Sequence, residues 1–133
     1  MHTPSGFHTV TPYFVVKDAD LFVDFVIHGL GGAELSRHLR PDGKIANAQI
    51  RLGSSTVMVS EASERLAPMS ASYYLYVSDA HQSVKRALAH GATLVTEIAD
   101  MPYGDRQGGV RDRHGNIWWV SQRLTDQPYS PEK

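Results

Sequence analysis

Four aromatic residues occur in segments with the alternating pattern of β-strands, and their side chains are the best candidates for binding a ligand. They are Tyr13, Tyr74, Tyr76 and Trp119. Because side chains two residues apart in a strand share a face, Tyr74 and Tyr76 are predicted to project from the same side. Aromatic rings can stack on a flat or apolar ligand, and phenol hydroxyls can fix its orientation. The pattern predicts an aromatic-lined pocket, with a core filled by the same rings as the alternative.

A second set of candidates lies on the polar side of the segment 45–52, where Asn47, Gln49 and Arg51 alternate with apolar residues. A guanidinium can donate two parallel hydrogen bonds to a carboxylate, so Arg51 could bind an acidic group of a ligand. A sheet with one side in water shows the same alternation. A binding role and a plain solvent-facing role therefore both stay open for these residues.

The seven histidines do not have the spacing that is typical of a metal site. His28 and His90 fall at the ends of predicted helices, where the helix dipole favours a cation. His8 precedes the first predicted strand and is the histidine with a candidate functional role. Ser60 and Ser121 are not arranged with a base in the pattern of nucleophilic catalysis. The sequence alone therefore indicates no catalytic residues.

The composition is that of one globular domain, because 133 residues with 41% apolar and 20% charged residues suffice for a single core. A net charge of -1 with scattered basic residues argues against nucleic-acid and membrane-surface partners. No apolar stretch approaches the roughly 20 residues of a membrane span, and a signal-peptide pattern is missing at the start. The absence of cysteine excludes disulfides and thiolate catalysis. We predict a cytoplasmic protein.

The segments that would position the candidate residues alternate in type. The first half predicts strands over 9–16, 33–39, 45–52 and 56–60. Asp18 is predicted to cap a helix after the first strand, with an apolar stripe formed by Leu21, Phe22, Phe25 and Val26. The second half predicts strands over 72–77 and 93–98, a helix between them with Val84, Ala87 and Leu88 on its apolar side, and a terminal β-hairpin.

The order of elements occurs twice, and short sequence repeats mark it. The segment Val16-Lys17-Asp18-Ala19 recurs as Val77-Ser78-Asp79-Ala80, and Val59-Ser60 recurs as Val120-Ser121, at an offset near 61 residues. We predict one domain over 1–133, with a first module at about 9–61, a second module at about 72–123 and a mobile tail over 124–133. The predicted fold class is α+β, with two tandem βαβββ modules forming a cup-shaped, mostly antiparallel sheet with helices on its outer face.

These paired modules carry a set of short motifs that includes V-x-D-A, G-G-A-E, P-D-G-K, P-Y-G-D-R-x-G and D-x-x-G-N-x-W. With them the chain resembles the vicinal oxygen chelate superfamily, which includes glyoxalase I, bleomycin-resistance proteins and extradiol dioxygenases, and within it the PhnB-like branch. The resemblance covers about residues 9–122. It implies a small-molecule ligand and a homodimer with two-fold symmetry. It does not imply one activity, because this superfamily uses the same cup for isomerases, lyases, dioxygenases and binding proteins.

The resemblance also implies where a metal ion would be bound. Metal enzymes of this superfamily place His or Glu on the first and last strands of each module, and alignment puts four residues there: Thr11, Val59, Ser72 and Trp119. None of these offers an imidazole or a carboxylate. The third-strand positions of the PhnB-like pattern hold Asn47 and Gln49, whose neutral amides bind transition metals poorly. We therefore predict no metal and no cofactor, with a divalent metal ion as the alternative.

The leading hypothesis is a metal-independent small-molecule-binding protein of the glyoxalase/bleomycin-resistance type that sequesters an aromatic or drug-like ligand. Its predicted ligand-binding residues are Tyr13, Gln49, Arg51, Tyr74, Tyr76 and Trp119. One alternative is a metal-dependent lyase, isomerase or dioxygenase with a shifted ligand set, such as His8 with Glu61 or Asn47. Another is a dimeric structural module whose cup is filled by side chains. Whether the protein is an enzyme stays open at this point.

Overall fold

The computed structural model describes residues 2–129, which form two compact units with their boundary between Ser70 and Ala71. The first module contains β1 (Tyr13–Val16), α1 (Ala19–Asp24), β2 (Ala33–Leu39), β3 (Ile45–Leu52) and β4 (Ser55–Glu61). The second module contains β5 (Ser72–Tyr76), α2 (Ala80–Ala89), β6 (Thr93–Asp100), β7 (Asp105–Arg111) and β8 (Ile117–Arg123). Within this described part of the chain, no helix has the length and apolar character needed to cross a membrane. The βαβββ order occurs twice, and the α+β fold class is confirmed.

Each module forms one four-stranded sheet with the same strand order. The order is β1-β4-β3-β2 in the first module and β5-β8-β7-β6 in the second. The first strand of each module pairs in parallel with its last strand, and the other neighbours pair in antiparallel. Each sheet is therefore mostly antiparallel, as predicted. The parallel pair places the first and last strands of a module side by side.

In the first module the helix covers one face of the sheet. The ring of Phe14 on β1 lies 4.8 Å from the ring of Phe22 on α1, and both side chains are buried. The helix continues as a π-helical turn over Phe25–Gly29. The prediction that Leu21 belongs to the apolar stripe is wrong, because Leu21 is 47% exposed and Val23 is buried instead. Leu88 on α2 is likewise partly exposed and contributes little to the core.

The two helices begin with different caps. Asp79 caps α2 as a conventional N-cap, because its side chain accepts the Gln82 amide at 3.1 Å. Asp18 occupies the predicted N-cap position of α1, but its backbone is left-handed with φ of 60° and its side chain makes no capping hydrogen bond. The carboxylate of Glu61 takes that role, accepting the amides of Asp18 and Ala19 at 2.9 Å each. Free amides and the helix dipole both favour an anion there.

The turn between β7 and β8 is organised around Asp112. Its buried carboxylate accepts the backbone amides of His114 at 2.9 Å and Asn116 at 3.0 Å, and the indole Nε1 of Trp118 at 2.9 Å. Trp118 is itself buried, with its ring 5.1 Å from that of Tyr73. The predicted terminal hairpin is therefore fixed to the core of the second module by one carboxylate.

The element bounds follow the sequence pattern closely, with differences at the ends. β1 begins at Tyr13 rather than at Thr9, because Pro12 lacks the amide hydrogen that would extend the ladder. The described part of the predicted tail makes specific contacts, including a hydrogen bond from the Leu124 amide to the Gly104 carbonyl at 2.9 Å. Residues 130–133 of that predicted tail lie outside the described residues.

Candidate functional site

Two consecutive glycines on β7 show which face of the second sheet is directed away from the helix. A Cβ atom added to Gly108 would lie 3.4 Å from Val84 of α2, whereas one added to Gly109 would lie 2.8 Å from Cζ3 of Trp119. Successive strand residues point to opposite faces, so Trp119 lies on the face that α2 does not cover. The indole occupies the space that a side chain at position 109 would need. We call this side of the second sheet the aromatic face.

Three of the six predicted site residues lie together on the aromatic face. Tyr74 on β5 pairs with Trp119 on β8, and Tyr76 follows two residues later on the same strand. The rings of Tyr74 and Tyr76 meet edge to face with 5.4 Å between their centroids. The two tyrosines are 44% and 57% exposed, respectively. The period-two alternation therefore predicted correctly that these rings share a face and are not packed under the helix.

A shallow, open concave region of about 490 Å³ lies on this face. Its lining residues are Ser72, Tyr73, Tyr74, Gln107 and Trp119. All of them belong to the second module. An indole, phenol rings, an amide and a hydroxyl together provide apolar surface for stacking and polar groups that can set orientation.

A buried carboxylate lies on the aromatic face at the start of β7. Asp105 is fully buried, and its Oδ1 accepts a hydrogen bond from Nη1 of Arg123 at 2.9 Å. Its Oδ2 accepts the hydroxyls of Tyr74 at 3.1 Å and Tyr129 at 2.7 Å. Burial works to raise the pKa of Asp105, but the bonds from Arg123 and the two phenols outweigh it and hold that pKa below its usual value. Asp105 is therefore an ionised acceptor at neutral pH.

The phenols that contact Asp105 stay protonated at neutral pH. Burial, together with hydrogen bonding to Tyr103 and Asp105, raises the pKa of Tyr74 to about 12. Burial and hydrogen bonding to Tyr76 and Asp105 also raise the pKa of Tyr129. A phenol next to a carboxylate resists losing its proton, because the phenolate would face a like charge. These hydroxyls therefore act as hydrogen-bond donors.

A second chain of hydrogen bonds crosses the aromatic face. The Tyr103 hydroxyl donates to Oε1 of Gln107 at 2.7 Å, and Nε2 of Gln107 donates to Oγ of Ser121 at 2.7 Å. The Ser121 hydroxyl donates in turn to the backbone carbonyl of Trp119 at 3.2 Å. This chain fixes the orientation of the Gln107 amide. The polar part of the face is therefore held in one arrangement by its own contacts.

The other three predicted site residues lie in the first module. Tyr13 on β1 pairs with Met58 on β4, which pairs with Gln49 on β3, so these three share a face of the first sheet. Arg51 lies two residues beyond Gln49, and its Nε donates a weak hydrogen bond to Oγ1 of Thr56 at 3.4 Å. Binding of a ligand by Tyr13, Gln49 and Arg51 stays a prediction.

The predicted metal positions need one correction. Val59 is fully buried and pairs with Phe14, whose ring contacts α1, so Val59 belongs to the helix-covered face. The residue of the first module that corresponds to Trp119 is Met58, which pairs with β1 as Trp119 pairs with β5. A thioether is a poor ligand for a hard divalent ion. Among residues 2–129, no three His, Cys, Asp or Glu side chains are grouped so that they could hold a metal ion.

Glu61, which belongs to the alternative metal-ligand set, has a structural role. Both of its carboxylate oxygens accept backbone amides at the start of α1. Asn47, the other member of that set, pairs with His38 on the neighbouring strand. Metal binding by Glu61 would leave two amides at the start of the helix without their acceptor, at a cost of about 1–3 kcal/mol for each buried donor. The geometry therefore disfavours a metal centre built on this residue.

Four residues of the aromatic face are not among the six predicted site residues: Asp105, Gln107, Arg123 and Tyr129. Period-two alternation along β7 would have indicated Gln107 and Asp105, and continuing it beyond Trp119 on β8 would have indicated Arg123. Tyr129 follows the last strand, so no periodicity connects it to the face. Its contact with Asp105 depends on the path of the chain after β8.

The fold and the site together define a protein of two tandem βαβββ modules with an aromatic face on the second. The chain belongs to the Glyoxalase/Bleomycin resistance protein/Dioxygenase superfamily, whose family model matches residues 6–120. A curated relative, the uncharacterised protein Mb0911c of Mycobacterium bovis, is 34% identical over 128 residues, which cover 88% of this chain and 84% of the relative.

Solved structures agree with this assignment. TioX from Micromonospora sp. ML1 is similar at a TM-score of 0.74 with 28% identity, over 88% of this chain and 99% of TioX. TnmS3, an antibiotic binding protein from Streptomyces sp. CB03234, is similar at a TM-score of 0.66 with 18% identity, over 87% and 97%. A PhnB protein from Bacillus cereus is similar at 0.67 with 15% identity, over 86% and 99%. The last two likenesses show the fold alone.

Proposed function

We propose that this protein binds a small aromatic or drug-like molecule on the aromatic face of its second module, without a metal ion. The observation that carries the proposal is the indole of Trp119, which lies against Gly109 beside Tyr74 and borders a concavity of about 490 Å³. An aromatic platform beside a phenol offers stacking and a directional hydrogen bond. The likeness to TnmS3, an antibiotic binding protein, is consistent with this kind of ligand.

The charges on the aromatic face favour a neutral ligand. Asp105 and Arg123 form an ion pair with 2.9 Å between Oδ1 and Nη1, so each compensates the charge of the other. The polar groups that line the concavity beside Trp119 are hydroxyls and one amide, which recognise neutral donors and acceptors. We therefore expect a neutral aromatic compound with polar substituents to bind better than a charged one.

The pKa values of Tyr74 and Asp105 favour binding over catalysis at this site. A general acid or base works best when its pKa lies near the working pH. The pKa of Tyr74 is raised to about 12, and that of Asp105 is lowered, so both move away from neutrality. Neither group is prepared to transfer a proton at pH 7. This supports a protein that holds its ligand without changing it.

Chemical-shift titration with quinoline tests the proposal, because quinoline is planar, neutral at pH 7 and lacks a hydroxyl. The two tryptophans give two indole N–H signals. The signal of Trp119 is expected to move more than that of the buried Trp118, whose Nε1 donates to Asp112. Equal shifts of both signals, or no shift of the Trp119 signal, would contradict the proposal.

A matched pair of variants locates the binding surface. Trp119→Ala is expected to raise the quinoline dissociation constant about tenfold, as for an aromatic contact at the centre of a site. Leu88→Ala removes a partly exposed apolar side chain from α2, on the opposite side of the sheet, and is expected to change the constant less than about twofold. Amide shifts of the remaining residues provide the readout in both variants.

We also propose a homodimer and a cytoplasmic location, both of which rest on the resemblance and the composition. Light scattering after size-exclusion chromatography tests the dimer. A mass of about 29 kDa, twice the 14.7 kDa of one chain, is the expected result. A mass that stays at that of one chain at all concentrations would contradict it.

A further inference from the structure

We propose that the aromatic face contains a subsite for a phenolic hydroxyl, and that the chain's own Tyr129 occupies this subsite as a displaceable internal ligand. The inference rests on the proposed function and narrows its ligand class to phenols. The subsite, defined here by Tyr76, Asp105 and Arg123, binds the hydroxyl and the ring of Tyr129 through separate contacts.

The hydroxyl of Tyr129 is bound from two sides. It donates to Oδ2 of Asp105 at 2.7 Å, and it lies 2.7 Å from the hydroxyl of Tyr76. A phenol has one proton, and here that proton is directed to the carboxylate, so Tyr76 must donate to Tyr129. A phenol in this position therefore satisfies one acceptor and one donor at once. A ligand without a hydroxyl can do neither.

The ring of Tyr129 lies on a cation. The guanidinium carbon of Arg123 is 4.1 Å from the centroid of the ring, which is the geometry of a cation–π contact. Arg123 is held in place by its ion pair with Asp105 and by hydrogen bonds to the carbonyls of Tyr103 and Gln127. The contacts with Asp105 and the Tyr103 carbonyl hold the cation independently of the segment that carries Tyr129. Such a fixed cation favours electron-rich rings, and phenols are among them.

Release of Tyr129 would leave few polar groups without partners. Asp105 is fully buried, but it keeps Arg123 on Oδ1 and Tyr74 on Oδ2 when the second phenol departs. Tyr129 is itself 45% exposed and belongs to the segment after the last strand. A phenol from solution can therefore replace it with little disruption of the sheet.

There is space beside the subsite for the rest of a ligand. A concavity of about 620 Å³ borders this end of the second module, and Tyr103, Arg123, Thr125 and Gln127 are among its lining residues. A Cβ atom on Gly104 would lie 2.9 Å from Nη1 of Arg123, so glycine at this position leaves room for the guanidinium. A phenolic compound larger than a tyrosine side chain can thus bind with its hydroxyl at Asp105.

The test compares p-cresol, which is the tyrosine side chain as a free molecule, with toluene, which lacks the hydroxyl. In Tyr129→Ala, p-cresol is expected to bind at least about tenfold tighter than in the wild-type protein. The apparent affinity of the wild-type protein is the intrinsic affinity multiplied by the fraction of molecules in which Tyr129 has left the subsite. Leu124→Ala, a partly exposed apolar residue of the same segment, is the matched control and should give no gain.

A second variant tests the two-sided recognition of the hydroxyl. Adding Tyr76→Phe to Tyr129→Ala removes the donor to the ligand's oxygen, and it should weaken p-cresol binding about threefold to tenfold while leaving toluene unchanged. Tyr76 is 57% exposed, so this substitution is compatible with folding. The amide shifts of Gln107 and Ser121 report binding in all variants.

The outcomes separate this inference from the proposed function. Equal p-cresol affinities of the wild-type protein and Tyr129→Ala, or toluene binding as tight as p-cresol, would overturn the phenol subsite. If quinoline still shifts the Trp119 signal in that case, the proposed function stands without the subsite. Conversely, a gain for p-cresol without any quinoline effect at Trp119 would support the subsite and refute the stacking platform.

Discussion

In the first module the last strand presents Met58 opposite Gln49, and in the second it presents Trp119 opposite Gly109. Strand order and pairing are the same in both sheets. The glycine makes the difference, because it leaves the space that the indole fills. The comparison shows how two residue changes on one shared framework can turn a mixed surface into an aromatic platform.

The starts of the two helices differ in a related way. In the first module Glu61 binds two amides with a carboxylate, and in the second Gln122 accepts the single amide of Ala80 at 3.0 Å. The Asp79 side chain accepts the amide of Gln82 at 3.1 Å in the second module. Both last strands therefore secure the helix of their module. The first module depends on one charged side chain, and the second divides the task between two residues.

The largest effect is expected at the turn that fixes the second module. Asp112→Ala should lower the free energy of unfolding by about 3 kcal/mol, because buried amides and the Trp118 indole lose a charged acceptor. Asp42 in the first module accepts one exposed amide, from Lys44, and Asp42→Ala should cost less than about 1 kcal/mol. Urea unfolding measures both, and equal losses would show that Asp112 is not the organising residue.

Substitutions at the starts of the two helices should lower the free energy of unfolding by smaller amounts. Glu61→Ala is expected to lower the free energy of unfolding by about 2 kcal/mol, and Gln122→Ala by about 1 kcal/mol, because charged acceptors stabilise roughly twice as much as neutral ones. Thermal and urea unfolding provide the measurement. A Gln122→Ala protein less stable than Glu61→Ala would reverse the comparison.

Lowering the pH should reduce the contribution of Asp105 on the aromatic face to the stability of the protein. Its pKa is lowered in the folded protein, so its stabilising contribution is present above the unfolded pKa of about 3.9 and is lost as the pH falls through the folded value. The difference in unfolding free energy between the wild-type protein and Asp105→Asn should therefore shrink between pH 7 and pH 3.

Asp100 is the control for this measurement. Its pKa is also lowered, chiefly by the hydrogen bond from Arg106, but the pair is exposed, so 0.5 M salt should remove most of its effect. Salt should change the contribution of buried Asp105 much less. A contribution of Asp105 that grows as the pH falls would contradict the proposed charge state.

Filling the space under the indole should weaken binding. In Gly109→Ala the new Cβ would lie 2.8 Å from Trp119, so the ring must move, and we expect about a threefold rise in the quinoline dissociation constant. In a Trp119→Ala background the same substitution should have no further effect. Additive losses in the double variant would show that the glycine does not act through the indole.

The two modules could be predicted from sequence because the positions of the helix starts, the strand alternation and the internal repeat all agree. The strands at 33–39 and 45–52 have the predicted bounds. The repeat offset of about 61 residues also identifies the first-module residue that is equivalent to Trp119. Counting back 61 residues from Trp119 leads to Met58 and not to Val59. The mistaken position came from allowing the offset to slip by one residue.

The aromatic face could be predicted only in part. Tyr74, Tyr76 and Trp119 follow from alternation along their strands. The partners Asp105 and Arg123 meet across two strands whose pairing is a property of the folded sheet, and Tyr129 reaches them from beyond the last strand. Local sequence patterns do not encode contacts of that kind.

The most direct test of the account compares the quinoline dissociation constant of Trp119→Ala with that of Met58→Ala, its counterpart in the first module. If the aromatic face of the second module carries binding, Trp119→Ala should raise the constant about tenfold and Met58→Ala less than about twofold. Amide chemical-shift titration of each variant gives both numbers. An equal rise in the two variants would contradict the claim that the second module provides the binding platform.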